Sequence, residues 1–244
     1  MRPWYAKKAS RLLVSMTLIV LASCSMLAPV VRGHSGDVVT CYRAIYPVTI
    51  GDGKLDQTEW EDSVEVVLTP NPKAPPGLVG YFRAKHDGTY LYCLFEHLNW
   101  TRIDLGDEVI ISIDTKHDGG SLPQPDDFSL AVVNVETSRA KAALTYGERK
   151  PWPRFYPIQA PSDVVYDMFL DSSSHSLEKH FIVEVKMPLS TITKKVPTAV
   201  GFNPVISNYN RWSDVALLYP SGSNHNIPNT WADLKIVDEK LTSS

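Results

Sequence analysis

The chain has 244 residues, 43% of them hydrophobic and 21% charged, with a formal charge of −3. That is an ordinary globular composition with enough apolar material for one substantial core. Residues 1–33 hold five basic residues and no acidic one, so the remainder carries −8, which argues against nucleic acid because phosphates demand a positive surface.

The N-terminus reads as an export signal. Arg2, Lys7, Lys8 and Arg11 precede the apolar run of residues 12–21, the order of a secretory signal, and the run is shorter than the ~20 residues of a membrane span. It ends in Leu21-Ala22-Ser23-Cys24, which resembles a lipobox, with Cys24 as the lipidated residue; the alternative is ordinary cleavage near Gly33. Either route gives a secreted, periplasmic or cell-surface protein, touching membrane only through a lipid anchor. Without Cys24, two cysteines remain, Cys41 and Cys93. In an oxidising compartment they are a candidate disulfide, closing a loop of about 50 residues that would stabilise by ~4 kcal/mol in the chain-entropy account. The plainer alternative is two buried free thiols. Asn99-Trp100-Thr101 is a glycosylation sequon at Asn99.

From residue 38 to 238 the pattern predicts one all-β domain. Eighteen prolines, thirteen glycines and short apolar alternations recur between turn residues. Alternation covers residues 64–68, 79–85 and 90–96, the last two joined by His86-Asp87-Gly88-Thr89, a hairpin signal. It resumes with Val109, Ile111 and Ile113, a mostly apolar run over 128–135, then Phe181, Val183, Val185 and Met187, then 200–206 and 234–237. About ten strands at this spacing predict a two-sheet antiparallel β-sandwich. Residues 56–62 and 189–193 read as single helical turns. Residues 70–77 and 150–161 hold four prolines each and read as surface loops; Trp152, Phe155 and Tyr156 on the second are either a platform or the loop's own anchors.

Asp114, His117, Asp118, Gly119, Gly120, Asp126 and Asp127 have the chemistry of a calcium loop, since hard cations take several oxygens from a turn that glycine lets bend. The candidate ligands are Asp114, Asp118, Asp126 and Asp127; a solvated acidic turn is the alternative. No G-x-S-x-G, H-E-x-x-H or phosphate loop occurs. Asp126 and Asp127 are neighbours on a predicted strand and point to opposite faces, so they do not face each other across a cleft as glycoside hydrolysis needs. The reading is a non-enzyme.

Six segments in order resemble the family 9 carbohydrate-binding modules and their DOMON-like relatives. They are Asp52-Gly53-Lys54-Leu55-Asp56 with Glu59-Trp60; Asp87-Gly88-Thr89-Tyr90-Leu91-Tyr92; Asp107-Glu108-Val109-Ile110-Ile111-Ser112-Ile113-Asp114; Glu184-Val185-Lys186-Met187-Pro188-Leu189; Gly201-Phe202-Asn203; and Trp231-Ala232-Asp233-Leu234. The resemblance implies a jelly-roll-like sandwich, a cleft lined by aromatics in sugar-binding members, and a structural metal. Trp60 is expected to plug one end of the sandwich, and Gly201 to allow close packing where a strand begins. In sugar-binding members a glutamate and a stacking tryptophan stand where this chain has Ile110 and Asp104.

The loop residues suited to a saccharide are Trp100, Trp152, Trp212 and Tyr219, with Arg211, Asn208 and Asn210 as polar groups. The leading expectation is an exported module that binds an oligo- or polysaccharide. The alternative is a structural sandwich that contacts cell-surface proteins. A third is haem binding, as in ethylbenzene-dehydrogenase-type sandwiches, with Met168 and Met187 as axial candidates.

Overall fold

A computed structural model of the chain describes residues 34–136, 139–153, 160, 162–211 and 216–241. The export segment with Cys24, and Phe155, Tyr156 and Trp212, lie outside those residues. Among the described residues no helix is long and apolar enough to cross a membrane.

The described chain is built almost wholly of strands: β1 (Val38–Arg43), β2 (Val64–Pro70), β3 (Gly80–His86), β4 (Tyr90–His97), β5 (Asp107–Asp114), β6 (Asp127–Glu136), β7 (Arg139–Tyr146), β8 (Val165–Asp171), β9 (His180–Pro188), β10 (Thr198–Asn208), β11 (Leu217–Leu218) and β12 (Ala232–Ile236). One layer runs β7-β6-β5-β10, and the free edge of β10 takes β12 over one stretch and β11 over another. The second layer runs β2-β3-β4-β9-β8. Pairing is antiparallel throughout except at β1, which lies parallel to β12 and then to β3. With β11 also paired to β2, the two layers are hydrogen-bonded into one continuous sheet folded over on itself.

Period-2 alternation explains why these segments become strands and which face turns inward. Val109, Ile111 and Ile113 of β5, Phe128, Leu130 and Val132 of β6, and Phe202 of β10 meet Phe82, Phe95, Phe181, Val183, Val185 and Met187 of the second layer in the main core. A fully buried side chain of this kind stabilises by about 1.5–3 kcal/mol. The predicted hairpin joins β3 to β4. Gly88 has a φ of 93°, a conformation easy only for glycine, and Asp87 Oδ1 accepts from the amides of Thr89 and Tyr90 at 2.7 and 2.8 Å.

Two expectations need correcting. Trp60, on the short turn Gln57–Trp60 capped by Asp56, does not plug an end of the sandwich. It covers the outer face of the second layer, packed with Tyr92, Leu94, Phe169 and Ile182. The even-numbered positions of β4 and β9 are apolar enough to form this second, smaller core. The Cys41–Cys93 bridge is not made either: both are buried free thiols in the main core. β3 is the reason, for Tyr42 is aligned with Lys85 and Lys85 with Tyr92. The two cysteine strands are thus two spacings apart, about 9–10 Å, beyond the Cα separation of about 4–7 Å that a disulfide spans. Burial raises both thiols above the ordinary range.

Candidate functional site

Polar chemistry gathers at both ends of β5. At its C-terminal end four positions are registered across the sheet: Asp127 on β6, Asp114 on β5, Gly201 on β10 and Asp233 on β12. Asp114 is fully buried and accepts from the amides of His117 and Gly119, each at 2.7 Å. Burial works against its charge, but these donors and the adjacent His34 outweigh it and hold the carboxyl below its usual range. Asp127 Oδ2 accepts from the amide of Gln124 at 2.6 Å, while Oδ1 is buried with no hydrogen-bond partner. Burial first, then the charges of Asp114, Asp126 and Asp118, push Asp127 up to about 7.

Three of the four predicted calcium ligands come together here, for carboxylate oxygens of Asp114, Asp126 and Asp127 lie within 4.8 Å of one another. Asp118 stands outside that trio, although the charges of Asp114 and Asp126 reach it. Clustered carboxylates are resolved chemically either by a shared proton or by a hard cation.

The same end brings in residues that sequence reasoning missed. His34 packs into the gap left by the missing side chain of Gly201, and its Nε2 stands 3.3 Å from Asp114 Oδ2. His117 Nε2 is 2.8 Å from Asp233 Oδ1. A lone histidine beside the export segment, and an aspartate within a strand motif, carried no signal; only the register across Gly201 unites them.

At the N-terminal end of β5, residues 104–107 meet the turn that follows β10. Asn208 Nδ2 donates to Leu105 O and to Asp107 Oδ1, and the Asn208 backbone carbonyl accepts from the Arg211 amide at 2.8 Å. The Tyr209 amide donates to Gly106 O at 3.0 Å. Leu105, Asn210 and Arg211 are exposed along this rim, with Asp104 and Tyr209 half-buried beside them. Asn208 itself is buried and serves as the rim's anchor. Below it Glu108 accepts from Ser207 at 2.7 Å, and burial raises its carboxyl to about 7.

The other predicted ligand residues are placed apart from this rim or built into the scaffold. Trp100 stacks on His97 with ring centroids 4.3 Å apart and meets Phe181 edge-on. Trp152 is buried, its indole donating to His225 O at 2.9 Å. Tyr219 is half-buried against the main core, and its carbonyl accepts from Asn203 at 2.7 Å. Asn99 is exposed, its side-chain oxygen accepting from the Val79 amide. Met187 is buried in the main core and Met168 packs against that core from β8. Ile110 is buried with Ala131, Val205 and Leu218 in an apolar patch on the outer face of the first layer, so this position offers no acceptor to a ligand.

A separate open cleft of about 590 Å³ lies beside the β3–β4 turn, lined by Arg43, Asp87, Thr89, Ser190, Lys194 and Lys195 among others. It contains no exposed aromatic ring.

No family model matches the sequence, and no curated protein matches it. Solved structures do. A family 9 carbohydrate-binding module from Caldicellulosiruptor kristjanssonii in complex with cellotriose aligns with a TM-score of 0.56 and 17% identity, over 83% of this chain and 95% of that one. A family 9 module from the same organism in complex with glucose aligns at 0.55 and 16%, over 84% and 99%. The chain has the fold of the family 9 modules, an all-β sandwich.

Proposed function

We propose that this chain is an exported, non-catalytic module that binds an oligosaccharide. The observation that carries this reading is the likeness of fold to modules solved with cellotriose and glucose, extending over nearly the whole of those chains. Its saccharide surface is the rim at the start of β5. Asp104 and Asn210 offer acceptors, Arg211 and Asn210 offer donors, and Leu105 with the Tyr209 ring offers apolar faces to sugar C–H groups. A few oriented polar groups around apolar surface are what a saccharide site needs. Because Ile110 takes no hydrogen bond, the sugar is held from this rim and not from the middle of β5. The trio Asp114, Asp126 and Asp127 holds structural calcium in this reading, supported by the unpartnered Asp127 Oδ1.

Calorimetry with glucose and cellotriose, in calcium-containing buffer, tests the proposal. The expected result is saturable binding to one or both, weakened about tenfold or more in Arg211→Ala, the loss of about 1.4 kcal/mol. A natively folded chain that binds neither sugar, nor any saccharide on an array, overturns it and leaves the cell-surface protein-contact reading.

A further inference from the structure

We propose that His34, His117 and Asp233, with Asp114 beside them, form a binding site for a divalent transition-metal ion of the zinc class. This goes beyond the saccharide reading and does not depend on it. One ligand atom from each of His34, His117 and Asp233 lies within 4.8 Å of the other two. Two imidazoles and a carboxylate are the donors of zinc-type sites, whereas calcium takes oxygen alone.

The hydrogen bonds around His34 prepare it for a metal. Its Nδ1 is 2.9 Å from the carbonyl oxygen of Pro228, which can only accept, so Nδ1 carries the proton. A backbone carbonyl on one ring nitrogen is the usual device that fixes the tautomer and frees the other nitrogen for a metal. That other nitrogen, Nε2, is buried and makes no hydrogen bond; it faces Asp114 Oδ2 at an ion-pair distance of 3.3 Å. With the proton on Nδ1, a neutral ring faces the Asp114 carboxylate lone pair to lone pair, an arrangement relieved either by a second proton on Nε2 or by a cation between the two.

The backbone is arranged to the same end. A Cβ on residue 201 would stand 2.2 Å from His34 Cε1 and 2.5 Å from Nε2, so only glycine admits the ring. His117 has a φ of 59°, uncommon for a residue with a side chain, and the bond from its amide to Asp114 Oδ1 holds it there. That turn brings its ring to 4.6 Å from the ring of His34. The His34 and Asp114 side chains are closed off, while those of His117 and Asp233 are 34% and 20% exposed, which leaves an ion one side by which to arrive. Bound there, it would tie the segment before β1, the loop after β5 and β12 into one unit.

The test uses the purified full chain, stripped with a chelator and titrated with Zn²⁺ by calorimetry and by thermal melting. The expected result is one equivalent bound, with a melting temperature several degrees higher, as mass action requires of a native-state ligand. His117→Ala and Asp233→Asn change partly exposed groups, so the fold should persist. Each is expected to weaken Zn²⁺ binding tenfold or more and abolish the visible absorption of bound Co²⁺. Two results overturn the proposal. One is a native chain whose melting ignores Zn²⁺, which makes the four residues two simple ion pairs. The other is Zn²⁺ binding that survives both His117→Ala and Asp233→Asn, which places the ion elsewhere.

Discussion

The indole of Trp60 donates to Oε1 of Glu184 at 2.9 Å, joining residues 124 apart in sequence at a point closed to solvent. The other carboxylate oxygen, Oε2, is buried with no hydrogen-bond partner. Burial, with the nearby charges of Glu59, Asp52 and Asp167 adding to it, raises Glu184 to about 8. Trp60 and Glu184 both lie in segments that resemble the family 9 modules, so this bond is one physical reason for the pattern.

That carboxyl makes stability depend on pH. Its folded-state pKa lies above the value of about 4.3 for an unfolded glutamate. The stabilising contribution of the protonated form is therefore complete below about pH 4 and lost as pH rises to about 8. Glu184→Gln keeps an acceptor for the indole and removes the charge. The variant should melt about 2–4 °C higher than the parent at pH 9 for each kcal/mol recovered, and no higher at pH 4. Melting followed by circular dichroism decides it; an equal difference at both pH values contradicts the assignment.

Lys85 is wholly buried, its ammonium donating to Asp62 Oδ1 at 2.6 Å and to the carbonyls of Tyr46 and Glu59. Removing one partner of such a pair leaves a buried charge uncompensated, at a cost of about 3–5 kcal/mol. Lys85→Ala should therefore lower the urea midpoint sharply. Lys85→Met with Asp62→Leu should recover only part of the loss, since it removes the buried charges but strands the amides of Ile45 and Tyr46 that Asp62 Oδ2 accepts from.

The thiols give a count that needs no structure. In a Cys24→Ser chain kept free of reductant, an aromatic disulfide reagent should find two thiols after denaturation and essentially none before it. A denatured chain that shows none would mean the cysteines are bridged, contrary to the separation that β3 imposes.

Gly201→Ala tests the gap that admits His34. The added methyl would meet the ring at 2.2 Å and Asp114 Cβ at 2.9 Å, and overpacking of this kind costs about 1–3 kcal/mol. The melting temperature should fall, and the Zn²⁺ response should fall with it.

Strands whose large apolar residues alternate were legible in the sequence: β3, β4, β5, β9 and β10 fall where alternation puts them, and the short turns at Gln57–Trp60 and Leu189–Thr191 lie within the predicted ones. β7 was not. Its Ala140, Ala142 and Ala143 carry weak strand preference, and it exists because β6 offers it an edge. β8 mixes Asp167 and Asp171 with Phe169 and Leu170, because its outward acids cap the amides of Gly53 and Leu55, a long-range use that no local pattern signals. At the site, the aspartates after β5 could be read because they cluster in sequence. His34 and Asp233 could not, since their meeting depends on two registers across Gly201.

The parallel pairing of β1 with β12 has a consequence in time. Val38–Cys41 find their partners only in residues 233–236, and beyond the strands Val237 and Glu239 bond back to Cys41 and Arg43. A ribosome releases the chain from its front, so Tyr42 and Arg43 can lie against β3 early, while Val38–Cys41 wait almost two hundred residues for their partners. Local hairpins such as β3–β4 can form meanwhile, but the two layers are locked along this seam only when β12 clears the exit tunnel. Closure therefore waits on the pairing that spans the longest stretch of this chain.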